Sequence, residues 1–415
     1  MKTVTLPTAH HTGWRSLPRN VWVVTATSFL TDVSTEMIVN LVPIFLADVL
    51  KTSTGVIGLI EGVAETTASL LKIFSGGLSD RLGRRKWLAV AGYGLSTLAK
   101  PFLYLASSWI AVLGVRFADR VGKGLRTAPR DALVADSASA GQRGLAFGLH
   151  RAGDTAGAAL GLIVAALVIW LTQQTSGQML SRQTLQTVVL ISIIPATLAV
   201  IVLALGARDV PARDRGSTPR LSLAGLDSRF KLFLASVILF TLGNSSDAFL
   251  ILRAKERGLS LLGVMGVLIA FNLVYALVSG PAGSLSDRVG RRRLIVAGWL
   301  VYSMIYLGFA LASAAWQIVA LFVTYGAYYG LSEGAARAFV ADLVSSDQRG
   351  TAYGVFNAAQ GMAALPASLI AGVLWQGIGS WPGLGPQAPF FFGASLALLA
   401  VALLIWHLPG LKREG

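Results

Sequence analysis

The sequence predicts an all-α polytopic membrane protein with twelve transmembrane helices in two pseudo-symmetric six-helix bundles. Three observations carry that expectation. Of 415 residues, 54% are hydrophobic and only 13% charged, about half the charge of an ordinary soluble chain. Apolar runs of about twenty residues recur, each long enough to cross a hydrocarbon core as helix. Finally, the stretch Gly76-Gly77-Leu78-Ser79-Asp80-Arg81-Leu82-Gly83-Arg84-Arg85-Lys86 returns as Gly283-Ser284-Leu285-Ser286-Asp287-Arg288-Val289-Gly290-Arg291-Arg292-Arg293, between apolar segments each time. The short alternating segments of an outer-membrane barrel are absent from the sequence.

The spans fall at roughly 20–46, 55–78, 87–107, 109–135, 144–172, 187–207, 231–252, 260–285, 294–314, 316–341, 350–376 and 388–408. Residues 1–19 then form an N-terminal segment, 20–207 the first bundle, 208–230 a linker, 231–408 the second bundle and 409–415 a tail. The net charge of +15 comes mostly from Lys and Arg in alternate loops: Arg15 and Arg19, 81–86, Arg143, 208–231, 288–293, Arg349, and Lys412 with Arg413. The opposite loops hold Lys51, Arg182 and the group Arg253, Lys255 and Arg257. Basic loops face the cytoplasm, which places both termini inside and explains the charge without nucleic acid. Met1 to Pro18 lacks the apolar core and cleavage site of a signal peptide, so the first span is expected to act as an uncleaved insertion signal. There is no cysteine, which excludes disulfides and thiol ligands.

The halves repeat beyond the basic loop. Asp136 and Asp342, Arg143 and Arg349, and Gly148 and Gly354 each lie 206 residues apart, and Asp80 and Asp287 lie 207 apart. Parallel six-helix repeats are an architecture of secondary transporters. Residues 76–86 and 283–293 resemble the loop signature of the major facilitator superfamily, and the likeness spans essentially the whole chain. It implies that superfamily's fold, a cavity between two bundles, and alternating access driven by an ion gradient. It further implies a multi-pass protein of a bacterial inner membrane, expected to be a monomer without a cofactor or bound metal.

The signature residues suggest a conformational latch: Gly76, Asp80, Arg81, Arg84, Arg85 and Asp136, with Gly283, Asp287, Arg288, Arg291 and Asp342 in the second half. Gly76 is expected to let helices approach closely. Arg84 or Arg85 is expected to pair with Asp136.

Charges inside spans are costly, so they must meet one another or a wet cavity. Asp32 and Glu36, like Glu61 and Glu65, lie four apart and share a helix face. Coupling to protons needs a carboxylate tuned by burial and a nearby cation. Asp32, Glu36, Glu61 and Glu65 are the candidates. Arg116 joins them because it matches the superfamily's fourth-helix arginine, which the resemblance associates with proton transfer in exporters. Cavity candidates are Arg120, Lys123, Arg126, Arg130, His150, Arg151 and Asp154 in the first half. Asn244, Asp247, Tyr325, Tyr329, Glu333 and Arg337 are their counterparts in the second, with Tyr275 and Tyr328 as further possible wall residues. The second half is poorer in charge: Glu65 corresponds to Asn272, Lys123 to Tyr329, Arg130 to Ala336 and Asp154 to Gln360. Gly153, Gly157 and Gly161 are similar to the superfamily's antiporter motif, although Ala158 stands where its proline would be, and helix packing alone explains such glycines.

These features point to proton-coupled export of a small anionic or amphipathic solute or drug. Uptake of an organic anion or metabolite is the alternative, and metal-ion export a weaker one, since four carboxylates suit a hard cation. No motif supports an intramembrane enzyme, and no loop is long enough for a receptor's ligand domain.

Overall fold

The computed structural model describes residues 16–82, 84–139, 142–173, 179–210, 223, 225–345 and 348–407. The side chains of Asp80, Arg81, Ser284, Ser286, Asp287, Glu333 and His407, and the surroundings of Gly280 and Gly283, lie outside that description. So do residues 1–15, most of the expected linker and the 409–415 tail.

Fourteen helices are described. They are α1 (Arg19–Val39), α2 (Val42–Asp48), α3 (Thr54–Leu82), α4 (Arg85–Leu105), α5 (Trp109–Ser137), α6 (Arg143–Thr172) and α7 (Arg182–Gly206) in the first half. The second half has α8 (Ser228–Gly243), α9 (Ala248–Glu256), α10 (Leu261–Val289), α11 (Arg291–Leu311), α12 (Ala315–Asp342), α13 (Arg349–Gln376) and α14 (Ala388–His407). Because α1 with α2 and α8 with α9 each make one crossing, the elements amount to twelve spans. Eight are apolar enough over 18 residues to cross a membrane on composition alone. The other four are α3, α4, α5 and α12; three of these carry most of the ionisable residues discussed below. Among the described residues the only β pairing is the isolated bridge Ile378–Trp381.

Local chemistry sets several boundaries. Ser108 and Ser181 accept the backbone N–H groups of Ala111 and Thr184, and Asp227 accepts that of Arg229, each satisfying an amide that a helix start leaves open. The breaks in the first and seventh spans are absent from the expected spans. Pro43 starts α2, where its missing N–H costs nothing. In the seventh span, Asn244-Ser245-Ser246 interrupts the helix, and Ser246 Oγ accepts the Ala248 amide instead. The seventh span also runs further than expected. Arg253, placed by the sequence in an outer loop, is a fully buried helical residue whose guanidinium caps the end of α11 through Phe309 and Ala310 carbonyls at 2.9 and 2.8 Å.

In the first bundle α1 packs on α6 and α7, and α5 on α3 and α4; in the second, α12 packs on α10 and α11, and α14 on α8 and α11. The bundles meet through α3 with α13, α6 with α10, and α2 with α9. Small residues make these contacts close. A Cβ built on Gly157 of α6 would lie 2.4 Å from the Phe29 carbonyl oxygen of α1, with Gly153 and Gly161 equally crowded one turn either side. The glycine stripe is therefore a packing surface. We expect Gly157→Ala to destabilise the protein by about 1–3 kcal/mol, the usual cost of overpacking, read as a lower unfolding temperature in detergent; an unchanged temperature would show that α1 and α6 separate freely. Gly76 departs from expectation: its nearest neighbour to an added Cβ is Ala128 at 3.5 Å, an ordinary contact. No close helix approach depends on it.

Candidate functional site

A cavity of about 520 Å³ lies on the axis between the bundles. The α1 helix contributes Asp32 and Glu36, α3 contributes Glu61 and Glu65, and α5 contributes Asp119, Arg120, Lys123 and Arg126. From the second bundle come Asn244, Asp247, Tyr325 and Tyr329. Helical spacing explains the convergence: Arg116, Arg120, Lys123 and Arg126 recur every three or four residues and so line one stripe of α5.

The charges divide into paired and unpaired groups. Arg116 Nη2 meets Glu61 Oε2 at 2.6 Å, with both side chains about 6% exposed. Arg120 Nη2 lies 3.3 Å from Glu65 Oε1. Arg126 donates to Ser96 Oγ at 2.6 Å and stacks over the Tyr93 ring at 4.6 Å. Four carboxylates in the lining make no ion pair among the described residues: Asp32, Glu36, Asp119 and Asp247. Glu36 accepts from Asn40 Nδ2 at 2.9 Å, and Asp247 accepts from the Tyr325 hydroxyl at 3.2 Å. Lys123 is exposed to the cavity. Arg116 sits behind this lining, in a small side pocket with Lys100 and Asp119.

Opposite the charges stands an aromatic wall. Tyr329 is edge-on to Phe271 and Tyr325, with centroids 5.6 and 5.1 Å away, an arrangement favoured by the ring quadrupoles. The Tyr302 and Tyr306 hydroxyls donate to Asn244 Oδ1 at 3.2 and 3.3 Å. Tyr328 packs behind the wall, against Tyr325 and Tyr329 with ring centroids 5.7 and 5.4 Å away, and does not line the cavity. It is buried in the second bundle between Phe240 and Tyr302.

Arg130, His150, Arg151, Asp154 and Arg337 are gathered elsewhere, in a second cavity of about 680 Å³ near the end of the molecule that carries Arg85 and Arg291. Tyr275 lines that cavity, and Tyr329 lines both. The sequence reading therefore merged two groups of cations that the fold separates along the axis. Glu333 is on α12, but its side chain lies outside the description.

Four of the latch candidates form two matched pairs. Arg85, not Arg84, is ion-paired with Asp136 and also donates to the Ala132 carbonyl. Arg291 meets Asp342 at 2.5 Å and the Ala338 carbonyl at 2.8 Å. Both pairs tie neighbouring helices within one bundle, α4 to α5 and α11 to α12. Arg84 precedes α4 as its N-cap and is exposed. Arg288 is exposed in the last turn of α10. The side chains of Asp80, Arg81 and Asp287, and the surroundings of Gly283, lie outside the description. Cross-bundle polar contacts involve other residues: near the same end, Arg151 of α6 donates to the Tyr275 hydroxyl of α10. Lys255 pairs with Asp48 at the opposite end, Thr54 N donates to Gln376 Oε1 at 2.8 Å, and Thr66 Oγ1 donates to the Gly361 carbonyl at 2.6 Å.

Two charges, the half-buried Asp119 and the buried Lys100, escaped the sequence reading. Asp119 was hidden among the cations of α5, although its position one residue before Arg120 is a signal. Lys100, alone in an apolar span, was legible as a costly charge; it is buried and donates to the Ser34 and Thr35 hydroxyls of α1.

Comparison with known proteins agrees with this architecture. A family profile described as Major Facilitator Superfamily matches residues 24–267 and 232–414. An uncharacterized MFS-type transporter of Methanocaldococcus jannaschii is 35% identical over 398 residues, covering 94% of this chain and 96% of the relative. Multidrug resistance protein 2 of Bacillus subtilis is 31% identical over 150 residues, 35% of this chain and 34% of that protein. The crystal structure of the nucleoside transporter NupG superimposes with a TM-score of 0.76 at 14% identity, covering 93% of this chain and 98% of that one; at that identity the likeness shows fold alone. With a duplicated six-span architecture, a polar cavity on the axis between the halves and a full-length profile match, the chain belongs to the major facilitator superfamily of membrane transporters.

Proposed function

We propose that the protein is a proton-coupled exporter, an antiporter working by alternating access, that carries a small amphipathic solute. It acts as a monomer in a bacterial inner membrane, with both termini in the cytoplasm, as the distribution of loop Lys and Arg supports. The observation that carries the coupling is the set of four carboxylates, Asp32, Glu36, Asp119 and Asp247, that face one membrane-buried cavity without an ion pair. A carboxylate locked to an arginine holds its charge; one facing a cavity without a cation partner can take up and release a proton as the cavity changes its access.

The lining carries six carboxylates against three cations. A solute with a positive group competes with protons for such a surface, and competition is what antiport requires. An anion would instead enter together with protons, which is symport. The anionic option therefore belongs with the alternative of uptake. The aromatic wall supports the amphipathic part of the reading, since its rings offer stacking surface beside polar hydroxyls. The partial match to a protein named for multidrug resistance points the same way. Among the described residues no group of three or more carboxylates and histidines is arranged to hold a metal ion, so metal export has no geometric support.

Flux into proteoliposomes separates the readings. Antiport predicts that lipophilic cations accumulate when the lumen is acidic, because protons leave as solute enters. Symport predicts accumulation only when the outside is acidic. Flux that ignores both gradients would overturn proton coupling.

A further inference from the structure

Behind the central cavity lies a side pocket of about 30 Å³, room for a water molecule but not for a solute. Its polar lining is Thr35 of α1, Lys100 of α4, and Arg116 and Asp119 of α5; Ile38, Val39, Leu103 and Val115 make up the apolar remainder. Arg116 is held by Glu61, and its Nε is buried without a hydrogen-bond partner. Lys100 and Asp119 make no ion pair among the described residues. Lys100 is 6% exposed and donates to the Ser34 and Thr35 hydroxyls. Hydroxyls solvate an ammonium but do not neutralise it, and an uncompensated charge at this depth is costly. Of the four unpaired cavity carboxylates, Asp119 is the one that also lines this pocket. Helix geometry brings the two charges together. Ser96 Oγ donates to the Asp119 carbonyl at 3.0 Å, which sets Asp119 level with the turn of α4 before Lys100. Side chains on a helix lean towards its N-terminus, so the lysine stem runs that way.

We propose that Lys100 is the counter-charge of Asp119, acting across one water held in the side pocket, and that it sets how readily Asp119 exchanges its proton with the central cavity, a role that rests on the reading of the cavity carboxylates as proton carriers. Four polar groups suit a bridging water: Lys100 Nζ and Arg116 Nε donate, the Asp119 carboxylate accepts, and the Thr35 hydroxyl completes the set. Charge balance favours water over an ion, because Arg116 is neutralised by Glu61 and the charges of Lys100 and Asp119 cancel. The apolar walls screen little, so the ammonium acts strongly on the carboxylate. Other charges on the helices around Asp119 are placed differently. Glu61 and Glu65 of α3 are tied to Arg116 and Arg120, and Arg85 of α4 to Asp136. Asp32 and Glu36 of α1, Lys123 and Arg126 of α5, and Asp247 line the central cavity. Lys72 of α3, Arg130 and Asp131 of α5, and His150, Arg151 and Asp154 of α6 line the second cavity. Lys100 therefore stands on the side of Asp119 away from the central cavity, where solute does not reach. It keeps its own protons; the proton that moves passes between the Asp119 carboxylate and cavity water.

Infrared spectra of the full chain in liposomes, taken across a pH series, test this. The protonated-carboxyl band that Asp119→Asn removes reports Asp119 directly. In Lys100→Met the titration midpoint of that band should move to higher pH by about one unit or more, since loss of a neighbouring cation favours the neutral carboxyl. Lys100→Arg keeps the charge and should keep the midpoint near that of the parent. If Lys100→Met does not fold, Lys100→Gln, which still offers a donor to the two hydroxyls, carries the same expectation. An unmoved midpoint in the charge-free variant would overturn the proposal, as would the absence of any carboxyl band specific to Asp119. A lysine with a structural role alone would change the unfolding temperature and leave the band in place. The spectra need neither solute nor gradient, so a shifted band beside gradient-indifferent flux would sink antiport and leave the Lys100–Asp119 pair standing.

Discussion

Asp32→Asn is expected to reduce gradient-driven flux by at least about tenfold, equivalent to about 1.4 kcal/mol or more of lost coupling, while the protein stays folded in the membrane. Asp32 faces the central cavity from α1 and makes no ion pair among the described residues. Asn fills nearly the same volume but cannot carry a proton. Folding should be little affected, because no described partner loses a bond. The informative comparison is with Glu65→Gln. Glu65 is held by Arg120 and is 46% exposed, so its loss should disturb Arg120 and solute affinity more than the response to pH. Proteoliposome flux with an acidic lumen, measured beside flux without a gradient, separates these effects. If Asp32→Asn and Glu36→Gln both keep full gradient-driven flux, proton exchange does not run through α1.

The second large effect concerns the Glu61–Arg116 pair. Glu61→Leu alone should destabilise the protein by about 3–5 kcal/mol, since removing one partner strands a buried charge. Arg116 is 5% exposed and lies in a side pocket, where little water can replace the lost carboxylate. Glu61→Leu combined with Arg116→Met should recover most of that loss, because exchanging both charges for apolar groups of similar size leaves nothing unpaired. Thermal unfolding of the parent, both single variants and the double variant forms a cycle that isolates the pair. Equal unfolding temperatures for all four would mean that the pair is hydrated and contributes nothing. If the double variant is stable but transports normally, the arginine of the fourth span is structural. If it is stable and loses its pH response, Arg116 takes part in proton movement.

The fold was legible because its signals are one-dimensional. Span length follows from bilayer thickness, and most expected boundaries lie within a few residues of the helices found. Duplication follows from two copies of one loop with constant offsets. The breaks in the first and seventh spans were less visible, because Pro43 and Asn244-Ser245-Ser246 sit inside runs that remain apolar on average. Arg253 was misplaced for a related reason: a charge near a span end reads as loop until its carbonyl partners on α11 are known.

The site was legible in its members and not in its grouping. Helical periodicity shows that Asp32 and Glu36 share a face, but not what that face meets. The rotation of each helix about its axis is set by close packing, such as that of Gly157 on the Phe29 carbonyl, which no spacing rule encodes. That rotation sends Arg120, Lys123 and Arg126 to the central cavity and, one turn on, Arg130 to the second. It turns Tyr328 into the core and leaves Tyr329 on both cavities. It also pairs Arg85 rather than Arg84 with Asp136. From the sequence alone came the membrane class, the duplicated architecture and the set of charges that could not face lipid. Only the tertiary structure decided which of those charges neutralise one another and which stand open to a cavity, because neutralisation depends on distances of a few ångströms between helices far apart in the chain.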